Sequence, residues 1–210
     1  MTTIVAEAID STFESETSTL TVQHPDGGTI GFRRARREEI SRIHALTAAQ
    51  IGPDVASIEV MQRIYQHDPE SFWTILRAEP DGAGFRIVGL YLYLYLNAAG
   101  ADLLAAGLLD TRDPPHSALV QPNERPVQIY IWAMVARKLT TLIAPLVVKS
   151  FPKSRYGGVP LAARAGTIGG LKSVRASAIA DVGIPSKAVG DVFRIDLSRT
   201  AVGECVRDLG

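Results

Sequence analysis

Between Leu90 and Leu96 the chain reads Leu-Tyr-Leu-Tyr-Leu-Tyr-Leu. A β-strand turns successive side chains to opposite faces, so the leucines line one face and the tyrosines the other. Neither face is polar. Such a strand belongs in the middle of a sheet, with helices covering at least one side. Val127–Ala136 (VQIYIWAMVA) is a second strong strand of the same kind.

The other elements are placed around these two. Ser18–Gln23 and Thr29–Arg34 alternate apolar and polar residues across the turn His24-Pro25-Asp26-Gly27-Gly28, which reads as a hairpin. Arg36–Ile51 carries Ile40, Ile43 and Leu46 at helical spacing and stops at Gly52-Pro53. Ser57 can cap a second helix bearing Ile58, Met61, Ile64 and Tyr65, which ends near Asp68-Pro69. Ser71–Glu79 reads as a strand, Pro80-Asp81-Gly82 as a turn, and Phe85–Asn97 as the strand holding the leucine and tyrosine alternation. Residues Ala98 to Pro126 form a long Pro-rich connection with a short helix around Ala101–Ala106. After Val127–Ala136 come a helix over Thr140–Phe151 and a strand over Val159–Ala165. A helix capped by Thr167 then carries Ile168, Leu171, Val174, Ala178, Ile179 and Val182 and closes at Gly183, and Asp191–Leu197 is a last strand. Consecutive strands in the middle favour antiparallel pairing, and the later strand–helix–strand units favour one parallel pair. The expected fold class is α/β in the α+β sense: a mixed, mostly antiparallel central sheet flanked by helices. Residues 1–17 are read as a flexible arm and 18–210 as a single domain.

Composition narrows the function classes. Lys+Arg and Asp+Glu both number 22, and this balance argues against binding nucleic acid through bulk charge. Cys205 stands alone, so an internal disulfide and a Cys-based zinc site are both excluded. It lies in a polar tail with no His or carboxylate constellation and is expected to be inert. No apolar run reaches the length of a membrane span, and the start lacks the pattern of a signal peptide. A cytoplasmic location and no membrane partner are therefore expected. His24, His44, His67 and His116 are scattered without metal-ligand spacing, so no metal is expected. The glycines at Gly157-Gly158 and Gly166…Gly169-Gly170 fit neither dinucleotide nor P-loop spacing.

The opening Phe32-Arg33-Arg34-Ala35-Arg36-Arg37-Glu38-Glu39-Ile40, the strand–turn–strand at Ser71–Asn97, and the unit Ile129–Phe151 together resemble the GNAT N-acetyltransferase superfamily over roughly Gly28 to Leu197. The resemblance implies an acyl-CoA-dependent N-acyltransferase, with acetyl-CoA or another acyl-CoA as co-substrate and a small-molecule or peptide amine as acceptor. It leaves room for a homodimer. It implies that backbone N–H groups around Met134, Val135 and Ala136 polarise the acyl carbonyl. The turn Ala136-Arg137-Lys138-Leu139-Thr140-Thr141 would meet the pyrophosphate at a helix N-terminus. Arg137 fits the leading position of the family's phosphate motif, whereas Thr140 and Leu142 occupy its two glycine positions. Arg137, Lys138, Thr140 and Thr141 would then hold phosphate by charge and hydroxyl contact. The family's usual tyrosine proton donor, in the last helix, corresponds to Ile179. These departures keep a second reading open: the same fold as a catalytically inactive ligand-binding or protein-interaction module.

Candidates for proton transfer are Tyr130, which shares a strand face with Trp132, Glu124 ahead of that strand, and His116 in the long connection. Each has an ordinary alternative: core packing for Tyr130, a rim contact for Glu124, a solvated loop for His116. Tyr91, Tyr93 and Tyr95 either wall a cleft or pack beneath a helix.

Overall fold

The fold is known from a computed structural model, which describes residues 19–79, 84–136, 139, 142–143, 146–147, 150–151, 153–164, 178–184 and 192–195. Eight strands form one sheet: β1 (Leu20–Gln23), β2 (Thr29–Arg34), β3 (Phe72–Ala78), β4 (Phe85–Leu96), β5 (Gln128–Val135), β6 (Leu161–Arg164), β7 (Ala178–Ile184) and β8 (Val192–Ile195). Their spatial order is β1-β2-β3-β4-β5-β6-β8-β7. Every neighbouring pair is antiparallel except β5 and β6, which run parallel. This is the mixed, mostly antiparallel sheet expected from the sequence, compatible with a GNAT-like α+β fold.

The strand with two apolar faces lies where its pattern demands. Leu90, Leu92, Leu94 and Leu96 pack on one face against Ile40 and Ile43 of α1 (Ile40–Ile51), Met61 and Ile64 of α2 (Ile58–His67), and Leu104 of α3 (Ala98–Ala105). Tyr91, Tyr93 and Tyr95 pack on the other face against Leu139, Ile143, Leu146, Val147 and Tyr156. The tyrosine stripe is therefore packing beneath a helical segment rather than a cleft wall. Helical residues Leu142, Ile143, Leu146 and Val147 follow β5, and the Ile143 N–H donates to the Leu139 carbonyl at 3.0 Å. A short helix, α4 (Lys153–Tyr156), leads into β6.

Local chemistry sets the boundaries. Ser57 caps α2 by accepting from the Val60 N–H at 3.3 Å. Asn97 accepts from the Gly100 N–H at 2.9 Å, which starts α3 three residues before the helix expected at Ala101. The long connection is tied down along its length. Arg63 donates to the Asp113 carboxylate at 2.5 Å and to the Pro114 carbonyl at 3.1 Å. Trp132 Nε1 donates to the Thr111 carbonyl at 2.6 Å, and Asn97 Nδ2 donates to the carbonyls of Ser117 and Leu119. No helix among the described residues is long and apolar enough to cross a membrane.

One element differs from expectation. Ala178–Ile184 is strand β7, not the last turns of a helix closing at Gly183. Ile179 and Val182 show helical spacing, but Ile179, Val182 and Ile184 are β-branched and Gly183 is a poor helix former. Pairing with Val192–Ile195 of β8 decides the outcome. The correspondence of Ile179 with a helical tyrosine falls with the helix. Thr167, Ile168, Leu171 and Val174 of that expected helix lie outside the described residues, as do Cys205, residues 1–17 and the Pro80-Asp81-Gly82 turn.

Candidate functional site

Among the described residues the parallel pair β5–β6 has the register Ile129↔Leu161, Tyr130↔Ala162 and Ile131↔Ala163. Strand β5 continues through Trp132, Ala133, Met134 and Val135, with no parallel partner on that side among the described residues. A strand's N–H and C=O groups alternate sides, so those of Trp132–Val135 not directed at β4 point to its other side. At the same point β5 changes register against β4: Leu92 lies opposite Ala133 and Tyr93 opposite Ile131, so Trp132 is an extra, bulged residue.

The bulge reverses the alternation of β5. Tyr130 before it and Ala133 and Val135 after it all face the helices α1 to α3, while Ile129, Ile131, Met134 and Ala136 face the tyrosine side. Among the described residues, the edge of β5 from Trp132 to Val135 that faces away from β4 thus has no strand partner. Beyond β5 the Leu139 N–H donates to the Ala136 carbonyl at 2.7 Å. Gly89 permits this arrangement: a Cβ there would lie 2.3 Å from the Val135 carbonyl oxygen.

Of the residues expected to bind cofactor, Met134 and Val135 end β5 and Ala136 follows it. Val135 and Ala136 are buried and Met134 is half-buried. Arg137, Lys138, Thr140 and Thr141 lie outside the described residues.

The proton-transfer candidates do not converge. Tyr130 is buried on β5, and burial raises its pKa against a smaller lowering by the nearby Arg164, so it is a neutral phenol at ordinary pH. Glu124 is exposed and caps its own turn, with Oε2 accepting from the Gln121 N–H at 3.1 Å. His116 is exposed and rests edge-on against the His67 ring, centroids 5.1 Å apart. Among the described residues no hydrogen bond or ring contact joins these three.

A different polar cluster is tightly built. Arg155 donates to Asp68 at 2.9 Å and to Glu70 at 2.7 Å, and its guanidinium lies over the rings of Tyr95 and Tyr156. The Tyr156 hydroxyl donates to Glu70 at 2.5 Å, Arg34 donates to the other Glu70 oxygen at 2.5 Å, and the Tyr95 hydroxyl donates to the Glu70 carbonyl. Burial and the bond to Glu70 push the Tyr156 phenol well up. Burial works against the Arg155 charge, but Asp68, Tyr156 and Glu70 outweigh it and hold the guanidinium more firmly protonated. Every strong donor here has its acceptor, so the cluster fastens α4 to the start of β3 and presents no free group to a ligand.

Arg164, the last residue of β6, is the opposite case. Its Nε and Nη2 are buried without a hydrogen-bond partner among the described residues. The sequence reading placed it within the strand Val159–Ala165 and did not single it out. The available signal was alternation, which puts Arg164 on the same face as Ala162 and close to Tyr130. No group of His, Cys, Asp and Glu suited to a metal occurs among the described residues. Compared with known proteins, the chain matches no family model and no curated sequence.

Proposed function

We propose that this protein is an acyl-CoA-dependent N-acyltransferase of the GNAT type, with acetyl-CoA or another acyl-CoA as co-substrate. One observation carries the reading: among the described residues β6 pairs with β5 only from Ile129 to Ile131, so the backbone of Trp132–Val135 has no parallel partner there, and this reading places the cofactor's acyl arm in a gap at that edge. The amide-bearing arm of coenzyme A can add to such an edge as an extra strand segment does. Backbone N–H groups near the bulge would polarise the thioester carbonyl without needing to reorganise. In the transfer the acceptor's amine nitrogen bonds to the acyl carbon and the carbon–sulfur bond breaks. The sulfur leaves as coenzyme A thiolate, and the proton released by the amine passes to that thiolate through solvent. Positioning within the gap supplies most of the rate.

Isothermal titration with acetyl-CoA and longer acyl forms tests this. We expect micromolar binding, coupled to acylated product when amines are supplied; no binding by any acyl form would rule the reading out. The Arg137→Ala/Lys138→Ala double variant should bind roughly a hundred- to ten-thousand-fold more weakly, because charge-assisted bonds to phosphate contribute on the order of 1.5–3 kcal/mol each. Pantetheine alone should bind parent and variant equally.

Thr140 and Leu142 in the glycine positions of the phosphate motif favour a second reading, a non-catalytic acyl-CoA-binding module. Tight binding with no turnover of any amine would select it.

A further inference from the structure

We infer that Arg164 receives the carboxylate of the acceptor, so that the acceptor is an amino acid rather than a simple amine. This inference rests on the transferase reading. Its basis is an unbalanced charge. A guanidinium always carries its proton and presents five donors, and burying it without a partner is costly. At Arg164 both Nε and Nη2 are sealed from solvent and neither donates to an acceptor among the described residues. Contrast Arg155, a similarly enclosed arginine that spends its donors on Asp68 and Glu70.

Location identifies the anion. Arg164 follows Ala163, which is in register with Ile131, so it stands beside the stretch of β5 that begins at Trp132. Alternation places it on the face of Ala162, which packs with Tyr130 among the residues facing α1 to α3. The helical segment after β5 packs on the opposite face, through Leu139, Ile143 and Leu146. The sheet thus separates Arg164 from the helix start that would take the cofactor's phosphates. An anion meeting Arg164 comes from the other substrate. A carboxylate paired with Arg164 lies beside the open backbone of Trp132, where the thioester would sit. The amine therefore has to lie only a bond or two from the carboxylate, as in an α-amino acid.

The test uses the full chain as wild type, Arg164→Gln and Arg164→Lys. Each is given acetyl-CoA with the standard amino acids, their carboxamides and the matching decarboxylated amines, and acetylated products are read by mass spectrometry. Wild type should prefer an acid over its carboxamide by about 100-fold in kcat/KM, since truncating one side of a buried charge pair has effects of that size. In Arg164→Gln the preference should fall below about ten-fold, Arg164→Lys should recover part of it, and titrated acetyl-CoA affinity should be unchanged in both.

Equal acetylation of acids and carboxamides overturns the carboxylate assignment and leaves the transferase reading standing. If acetyl-CoA neither binds nor reacts, the transferase reading fails instead. Titration of the amino-acid mixture and of inorganic phosphate into cofactor-free protein then decides Arg164: loss of amino-acid binding in Arg164→Gln supports the site, while no binding, or binding of phosphate alone, overturns it. Unliganded stability gives an independent readout. Removing an unpartnered charge in Arg164→Gln should raise Tm by about 2–4 °C; a lower Tm means that a carboxylate of the chain itself holds the guanidinium, and overturns the proposal.

Discussion

Glu70 shows why single residues were the least legible part of this molecule. In sequence it is an acidic residue between a proline and a serine. In the fold its carboxylate joins Arg34, Arg155 and Tyr156, partners up to 86 positions away. No local spacing announces such a junction, because it exists only after β2, β3 and α4 have met. Asp68 beside it is buried and depends on Arg155, whose own side chain is only 12% exposed. We therefore expect Arg155→Met to destabilise the protein by about 2–4 kcal/mol, the cost of leaving a buried carboxylate unpaired, moderated by the bonds Glu70 keeps to Arg34 and Tyr156. Urea unfolding measures it, and adding Asp68→Asn should return part of the loss. A change within about 0.5 kcal/mol, the range of ordinary surface substitutions, would show that water replaces the pair at no cost.

At the scale of elements the sequence was more informative, because periodicity is a local property. The strands from Leu20 to Val135 and the helices α1 and α2 follow from alternation, helical spacing and caps. Two features escaped. The spacing of Ile179 and Val182 reads as helix, whereas pairing with β8, farther along the chain, makes the segment strand β7. The bulge at Trp132 was also hidden: VQIYIWAMVA reads as unbroken strand, yet Tyr130 and Val135, five residues apart, face the same side. Only the register against β4 reveals it. The close approach of β4 and β5 beyond the bulge depends on Gly89. In Gly89→Ala the new Cβ would lie 2.3 Å from the Val135 carbonyl oxygen and 2.7 Å from Ile75 Cδ1. The isoleucine end can move; the carbonyl moves only with the strand. We expect a loss of about 1–3 kcal/mol, the usual cost of overpacking, and, on the proposed transferase reading, weaker acetyl-CoA binding because the end of β5 shifts. Gly31→Ala is the control, since its nearest neighbour is the Thr19 methyl at 3.0 Å, a side chain at the other end of the sheet. Equal binding by Gly89→Ala and wild type would separate this end of β5 from the cofactor.

For the molecule as a whole, the tyrosine face decides behaviour at high pH. The chain has six tyrosines, and all six phenols are pushed above their ordinary value of 10.0. Burial is the first cause in every case, and in Tyr93 and Tyr95 the neighbouring tyrosines add to it. A group whose folded pKa is raised gives its full stability below the unfolded pKa and loses it as pH rises towards the folded value. The protein should thus keep its stability up to about pH 10 and lose it steeply above, as the unfolded chain ionises phenols that the folded chain keeps neutral. Tyr65 lies farthest out and should titrate first. The others should ionise together, in one step coincident with loss of far-ultraviolet circular dichroism. Near-ultraviolet absorbance of phenolate follows this directly, with the urea-unfolded chain as reference. Stepwise ionisation of several tyrosines in a protein that stays folded would mean that water reaches the tyrosine face and that the helical segment does not seal it. Tyr93 sharpens the test, because its buried hydroxyl has no partner among the described residues. Tyr93→Phe removes an unsatisfied polar atom and should stabilise the fold by about 1 kcal/mol. It should also leave the alkaline midpoint higher, since one phenol fewer drives the unfolding.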